Sequence, residues 1–204
     1  WFVRMKFPGH EQVVIDSETG LPEGWSKKYL SDLCDLTMGQ SPKSEFYNDE
    51  KNGLPFHQGV KDYGFRFPNN ESWSTEGSRI ANRGDILFSV RAPVGRLNVA
   101  IEKIILGRGL ASIQHKEGFQ SFLFYQLQKI FFAEDIIGGG AIFNSVTKND
   151  MNRIELLNPS KSILKRFNEY AANIDKSIEN LFQQNKRLKA AQTATATTIT
   201  LATG

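Results

Sequence analysis

The chain has 204 residues, 40% of them hydrophobic and 23% charged, with a net charge of +3; this excludes a disordered polyelectrolyte and suits one globular domain with an appendage. So mild a basic excess is compatible with a nucleic-acid partner without requiring one. The single cysteine, Cys34, excludes an intramolecular disulfide framework and a cysteine-rich zinc site, fits a reducing cytoplasmic setting, and reads as a small buried hydrophobe.

In chain order, the opening WFVRMKFPGHE has neither an initiator methionine nor the layout of a signal peptide, and residues 1–20 read as the end of a preceding element. Leu21-Pro22-Glu23-Gly24-Trp25 is a turn that starts a domain. Ser26 to Leu36 carries Tyr29-Leu30, Leu33 and Leu36 at helix-like spacing and predicts a short helix of one to three turns. Met38 to Pro55, rich in Gly, Ser, Pro, Asn and Asp, predicts a loop with turns. From Phe56 to Ala100, short apolar runs broken by Gly, Pro and Asn predict strands, continued by Ile104-Ile105-Leu106. Phe119 to Phe132 has too many aromatic and aliphatic residues for one exposed face and predicts a largely buried helix, stopped before Gly138-Gly139-Gly140. A loop from Gly138 to Lys148 follows, then a short strand over Met151 to Leu157, and Asn158-Pro159 closes the domain. Ile163, Phe167, Tyr170, Ile174, Ile178, Leu181 and Leu188 mark the seam of a long amphipathic helix; successive four-residue steps from Tyr170 through Ile174 to Ile178 interrupt a strict heptad. Beyond Gln192 the β-branched and small residues predict a frayed tail. No run is apolar and long enough to cross a bilayer.

Catalytic signatures are missing. There is no G-x-x-x-x-G-K-[ST], H-E-x-x-H or G-x-S-x-G, and His10, His57 and His115 have no metal-ligand spacing. Gly107-Arg108-Gly109 is too short for a dinucleotide fingerprint and reads as a tight turn, while Arg83-Gly84-Asp85 reads as a turn into a strand rather than an adhesion tripeptide. Polar and basic groups gather in three loops: Gln40, Ser41, Lys43, Ser44 and Asn48; Gln58, Lys61, Tyr63 and Arg66; Asn144, Ser145, Thr147, Lys148 and Asn149. Long amides and basic groups suit base edges, and hydroxyls and lysines suit phosphates, although loops are polar in any case. Within RGDILFSVRAPVGRLNVA, Pro93 and Gly95 suit a type I turn that sets Arg91 opposite Arg96. Two facing arginines need an anion, either a carboxylate of the protein, favoured for Arg91, or an external phosphate.

"LPEGW", "GQSP", "PFHQG", "RGDILFSVRAPVG", "GRGLASI", "GGGAIFNSVTKNDM" and a closing "NPS" before a long helix together resemble the target recognition domain and adjoining conserved helix of a type I restriction-modification specificity subunit. The opening residues are similar to the end of that family's central conserved region, and the resemblance runs to Gln192. It implies an α+β fold: a β-rich recognition domain over residues 21–159, a spacer or dimerisation helix over 160–192 packed in an antiparallel pair or coiled coil, and a tail over 193–204. It also implies a non-catalytic DNA reader for one half of a bipartite target, with the loop residues above and Arg91 and Arg96 at the DNA. Methylation subunits that use S-adenosylmethionine and restriction subunits that use ATP and Mg2+ would be the partners, so no cofactor belongs to this chain. The chain would be a C-terminal half, or a half-sized subunit that self-associates through its helix. The other readings are an assembly scaffold with weak DNA binding and the recognition domain of a fused restriction-methylation enzyme. One departure stands out, because the family often has an acidic residue where this chain has Arg96.

Overall fold

A computed structural model of the chain describes residues 1–2, 4–137 and 145–202, with side chains placed for all of these but 132–137 and 194–202. In chain order the elements are β1 (Ser26–Tyr29), α1 (Leu30–Leu33), β2 (Cys34–Met38), β3 (Tyr47–Asn48), β4 (Leu54–His57), β5 (Trp73–Ser74), β6 (Ile80–Ala81), β7 (Ile86–Ser89), β8 (Leu97–Val99), β9 (Ile104–Leu106), β10 (Leu110–His115), α2 (Gln120–Ile137), α3 (Lys148–Asn152), β11 (Glu155–Asn158) and α4 (Lys161–Ala202). The architecture is α+β, as the resemblance implies.

The strands form an antiparallel pair β1-β11, a four-stranded antiparallel sheet β2-β10-β7-β8, and a five-stranded sheet β3-β5-β4-β9-β6 in which β4 and β9 run parallel. Strand β7 explains the unbroken apolar run Ile86-Leu87-Phe88, since both of its faces are covered. Ile86 and Phe88 point to one core, with Ile113 of β10, Leu123 and Leu127 of α2, and Met151 of α3. Leu87 points to the other, with Ala81, Ile104, Leu106 and Leu110. Cys34 lies inside the first core, where burial pushes its thiol pKa up to about 12.

Several local expectations change. Only Leu30–Leu33 of the stretch from Ser26 to Leu36 is helical, because long-range pairing takes the flanks: Ser26 sits opposite Asn158, and Cys34 opposite His115. The expected loop from Met38 to Pro55 contains β3 and the start of β4. The strand expected over Met151 to Leu157 begins only at Glu155, because Met151 and Asn152 belong to α3. Before it, Thr147 caps α3, its Oγ1 accepting the Asp150 N–H at 3.2 Å while its own N–H donates to the Asp150 carboxylate at 2.8 Å. The expected tail is helical as far as Ala202; alanine favours the helix, and Thr193 stays in it by donating its hydroxyl to Lys189 O at 3.0 Å. The triple glycine and Asn144 lie outside the described residues.

Helix α4 has 42 residues, so it is about 60 Å long and reaches well past the domain. Its first turns dock through Leu164 on Phe119 and Phe122, with Phe2 and Phe167 alongside. Two turns on, Asp175 Oδ1 accepts hydrogen bonds from Arg66 at 2.6 Å and from the Tyr125 hydroxyl at 2.8 Å. Glu179 pairs with Arg83, and Phe182 meets Phe67 with ring centroids 5.1 Å apart.

Candidate nucleic-acid interface

Five segments distant in sequence meet along one edge of the domain. The Gln40 N–H donates to Leu106 O at 2.9 Å, and the N–H groups of Gly107 and Gly109 donate to His57 O at 2.8 Å and Gln58 O at 3.1 Å. From there Val90 N–H donates to Gly109 O, and Val146 N–H to Val90 O, both at 2.9 Å. This series of bonds sets residues 40–44, 58–61, 91–92, 107–109 and 145–148 side by side, so part of each of the three loops of the sequence reading joins one surface.

Glycine makes the central approach possible. A Cβ on Gly107 would stand 2.7 Å from Gln58 Cα, and one on Gly109 would stand 2.5 Å from Gln58 O. Neither position has room for a side chain.

Most of the expected residues face solvent here. Gln40, Lys43, Ser44, Gln58, Lys61, Ser145, Thr147 and Lys148 are exposed, and Ser41 is half-buried. Lys43 lies 3.6 Å from Glu45 and Lys61 3.3 Å from Glu71, exposed pairs worth about 0–1 kcal/mol that a phosphate can displace. Two expectations fail. Arg66 is only 9% exposed, held by Asp175 with its guanidinium 3.5 Å from the centre of the Phe124 ring, so it fastens α4 to the domain. Tyr63 turns its hydroxyl inward, where burial pushes its pKa up.

The arginine turn also differs from expectation. Ser89, not Arg91, stands opposite Arg96: Ser89 N–H donates to Arg96 O at 3.0 Å, and Arg96 N–H donates to Ser89 Oγ at 2.8 Å. The turn is longer than the four-residue type I turn and contains a cis Ala92-Pro93 bond, which leaves Arg91 within it, bridged to Ser145. The two arginines therefore do not face each other. Arg91 is exposed and has no ion pair among the described residues, whereas Arg96 is engaged within the chain. Arg83-Gly84-Asp85 is structural: Arg83 bonds Ile101 O and Glu179, and buried Asp85 accepts the Asn82 N–H at 2.8 Å.

Behind Gln58, the fully buried His57 anchors the loop. Its Nε2 donates to Asn70 Oδ1 at 2.8 Å, Asn70 Nδ2 donates to Glu102 Oε1 at 2.7 Å, and Nδ1 lies 3.4 Å from Asp62 Oδ2. Burial lowers the His57 pKa and raises that of Asp62, with each partner's charge opposing the shift in the other. Among the described residues no three His, Cys, Asp or Glu side chains gather as a metal site would need.

One residue of this surface was missed. Exposed Arg108 shares a cleft of about 230 Å3 with Gln58, Gly59, Val60, Arg91, Ala92 and Gly109. Its signal was available: an arginine with glycine on either side, between two strongly apolar strands, has to be displayed outward.

The residues of the helix seam differ in exposure. Tyr170, Ile174, Leu181 and Leu188 are 57–62% exposed, while Ile163, Phe167 and Ile178 are half-buried. Phe167, Ile174, Leu181 and Leu188 follow seven-residue steps, the repeat of a coiled-coil position. No helix is long and apolar enough to cross a membrane among the described residues.

Comparison with known proteins places these features in context. Residues 22–190 match the family model described as type I restriction modification DNA specificity domain. A putative type I restriction enzyme MjaX specificity subunit of Methanocaldococcus jannaschii is 37% identical over 186 residues, covering 85% of this chain and 41% of that protein. The HsdS subunit of Thermoanaerobacter tengcongensis superposes with a TM-score of 0.67 at 34% identity, over 83% of this chain and 42% of that one. A chain from a structure concerned with complex assembly and conformational transition of the type I R-M system has a TM-score of 0.68 at 35% identity, over 84% and 43%. This chain thus spans about two fifths of the length of the curated relatives it matches.

Proposed function

Because this chain belongs to the type I restriction modification DNA specificity domain family, we propose that it is the non-catalytic part that reads one half of a bipartite duplex DNA target. The observation that carries this reading is the convergence of residues 40–44, 58–61, 91–92, 107–109 and 145–148 on one edge, where Lys43, Arg91, Arg108 and Lys148 are exposed. Phosphate contacts from the lysines set position, and amides and guanidinium groups inside the cleft read bases. Folding fixes the backbones of these segments to one another beforehand, which lowers the ordering cost of binding.

The exposed seam on α4 takes a second helix, either from another half of the same protein or from a second copy, and docks methylation subunits. S-adenosylmethionine, ATP and Mg2+ work in those methylation and restriction subunits, in the cytoplasm. The same seam supports the assembly-scaffold reading, which differs in giving the complex no sequence preference. A fused enzyme would carry its chemistry outside these residues.

Fluorescence anisotropy with duplex DNA at several salt concentrations tests the proposal. Affinity falls with salt by a log-log slope of roughly 0.9 per neutralised phosphate, and Lys43→Ala and Lys148→Ala each weaken binding and reduce that slope by about 1. A slope unchanged in both variants contradicts this placement of the DNA.

A further inference from the structure

The Gly107-Arg108-Gly109 turn has spent all of its backbone donors inside the protein. Gly107 N–H goes to His57 O, Gly109 N–H to Gln58 O, and Arg108 N–H to Ser41 Oγ at 3.1 Å. It is therefore not a nest of amides for an anion. What it offers outward is the Arg108 side chain, which has no ion pair among the described residues.

Ser41 continues this chain of bonds. Its Oγ receives the Arg108 N–H and donates its own proton to Gln58 Oε1 at 2.8 Å. The carbonyl end of the Gln58 amide is thus turned back into the protein, and the NH2 end remains for a ligand. The guanidinium of Arg108 is donor-only by its chemistry. Both side chains project from segments locked by Gly107 and Gly109, and both border the same cleft of about 230 Å3.

The geometry points to Arg108 and Gln58 as a guanine-reading pair in the major groove, an inference that rests on the DNA-reading function proposed above. Two side-chain ends that are only donors need acceptors side by side, and guanine presents N7 and O6 that way. Adenine sets an N6 donor beside N7, and cytosine offers its N4 donor, so each would leave a donor facing a donor. Arg108 supplies the two parallel N–H groups that span N7 and O6. Gln58 donates to an acceptor of the same or the adjoining base pair. Ser41 is the positioning residue that sets which end of the Gln58 amide faces outward.

The test is selection from a randomised duplex library by the full protein that carries this chain, as wild type, Arg108→Ala, Arg108→Lys and Gln58→Ala, with sequencing of the bound fraction. The wild type is expected to enrich a motif containing guanine. Arg108→Ala should lose about 10- to 100-fold of the preference at one G·C pair and keep the preferences elsewhere. Arg108→Lys should lose most of it as well, since it retains the charge without the two-pronged geometry, and Gln58→Ala should relax that pair or its neighbour. Arg108 is exposed, so unchanged melting temperatures exclude misfolding as the cause. An intact motif with uniformly weaker binding would make Arg108 a phosphate contact and overturn the inference while leaving DNA reading in place. Relaxation at an A·T pair would overturn it too. A wild type that enriches no motif would bring down the proposed function, and this pairing with it.

Discussion

Replacing Arg66 by alanine separates two roles that its sequence neighbourhood leaves open. In the structure its side chain is 10% exposed, bound to Asp175 Oδ1 at 2.6 Å and 3.5 Å above the centre of the Phe124 ring. Removing it leaves Asp175, 21% exposed at its side chain, with the Tyr125 hydroxyl still donating to it at 2.8 Å. Breaking a buried ion pair costs about 3–5 kcal/mol, and the partial exposure of Asp175 brings the expectation to about 3 kcal/mol. For a chain of this size that lowers the melting temperature by roughly 6–12 °C. The double variant Arg66→Met with Asp175→Leu should recover most of the loss, because neither partner is then left charged in the interior. Thermal denaturation followed by circular dichroism reads both, and a salt titration of DNA binding reads the other role. Arg66→Ala should leave the salt slope as it was. An unchanged melting temperature together with a slope reduced by about 1 would refute the reasoning and return Arg66 to the DNA surface.

Three further outcomes follow from named contacts. Gly95 has φ +85° and a Cβ there would lie 2.7 Å from the Phe131 ring, so Gly95→Ala should destabilise by about 2–4 kcal/mol in denaturant titration. His115 is buried and its Nδ1 accepts the Glu117 N–H at 3.1 Å; burial lowers its pKa from the ordinary 6.5, with the charge of Glu117 opposing. The unfolded chain then takes up a proton below pH 6.5 before the folded one does, so this contribution is complete above pH 6.5 and is lost as pH falls toward the lower folded value. Stability measured between pH 7 and 5 should fall more steeply in the wild type than in His115→Gln. If the chain self-associates through this face as proposed, Leu181→Glu with Leu188→Glu should make it a monomer in size-exclusion chromatography with light scattering, and a wild-type monomer at micromolar concentration would contradict that self-association.

The elements legible beforehand were those whose signal is local. The buried helix before the triple glycine, the strand Ile86–Ser89 and the long final helix all announce themselves by periodicity or by continuous apolar character. Ser26 to Leu36 misled because its spacing suits one helical turn while its flanks pair with residues near 115 and 158, which no local pattern reveals. The loops of the site were visible by composition, but which of their residues face outward depends on tertiary partners. Arg66 is withdrawn by an aspartate 109 residues away, and Arg108 is displayed by glycines that looked like ordinary turn residues. The turn at Arg91 and Arg96 was anticipated as a strand-turn-strand. Its register was not, since it depends on Ser89 taking the place opposite Arg96.

Mapping modified bases across the genome of a cell that expresses the full protein with the methylation subunits proposed for it tests the central claim most directly. Exchanging residues 21–159 for the recognition domain of another member of the family should change one half of a split methylated motif and leave the other half as it was. An identical motif before and after the exchange would contradict the assignment of sequence reading to this chain.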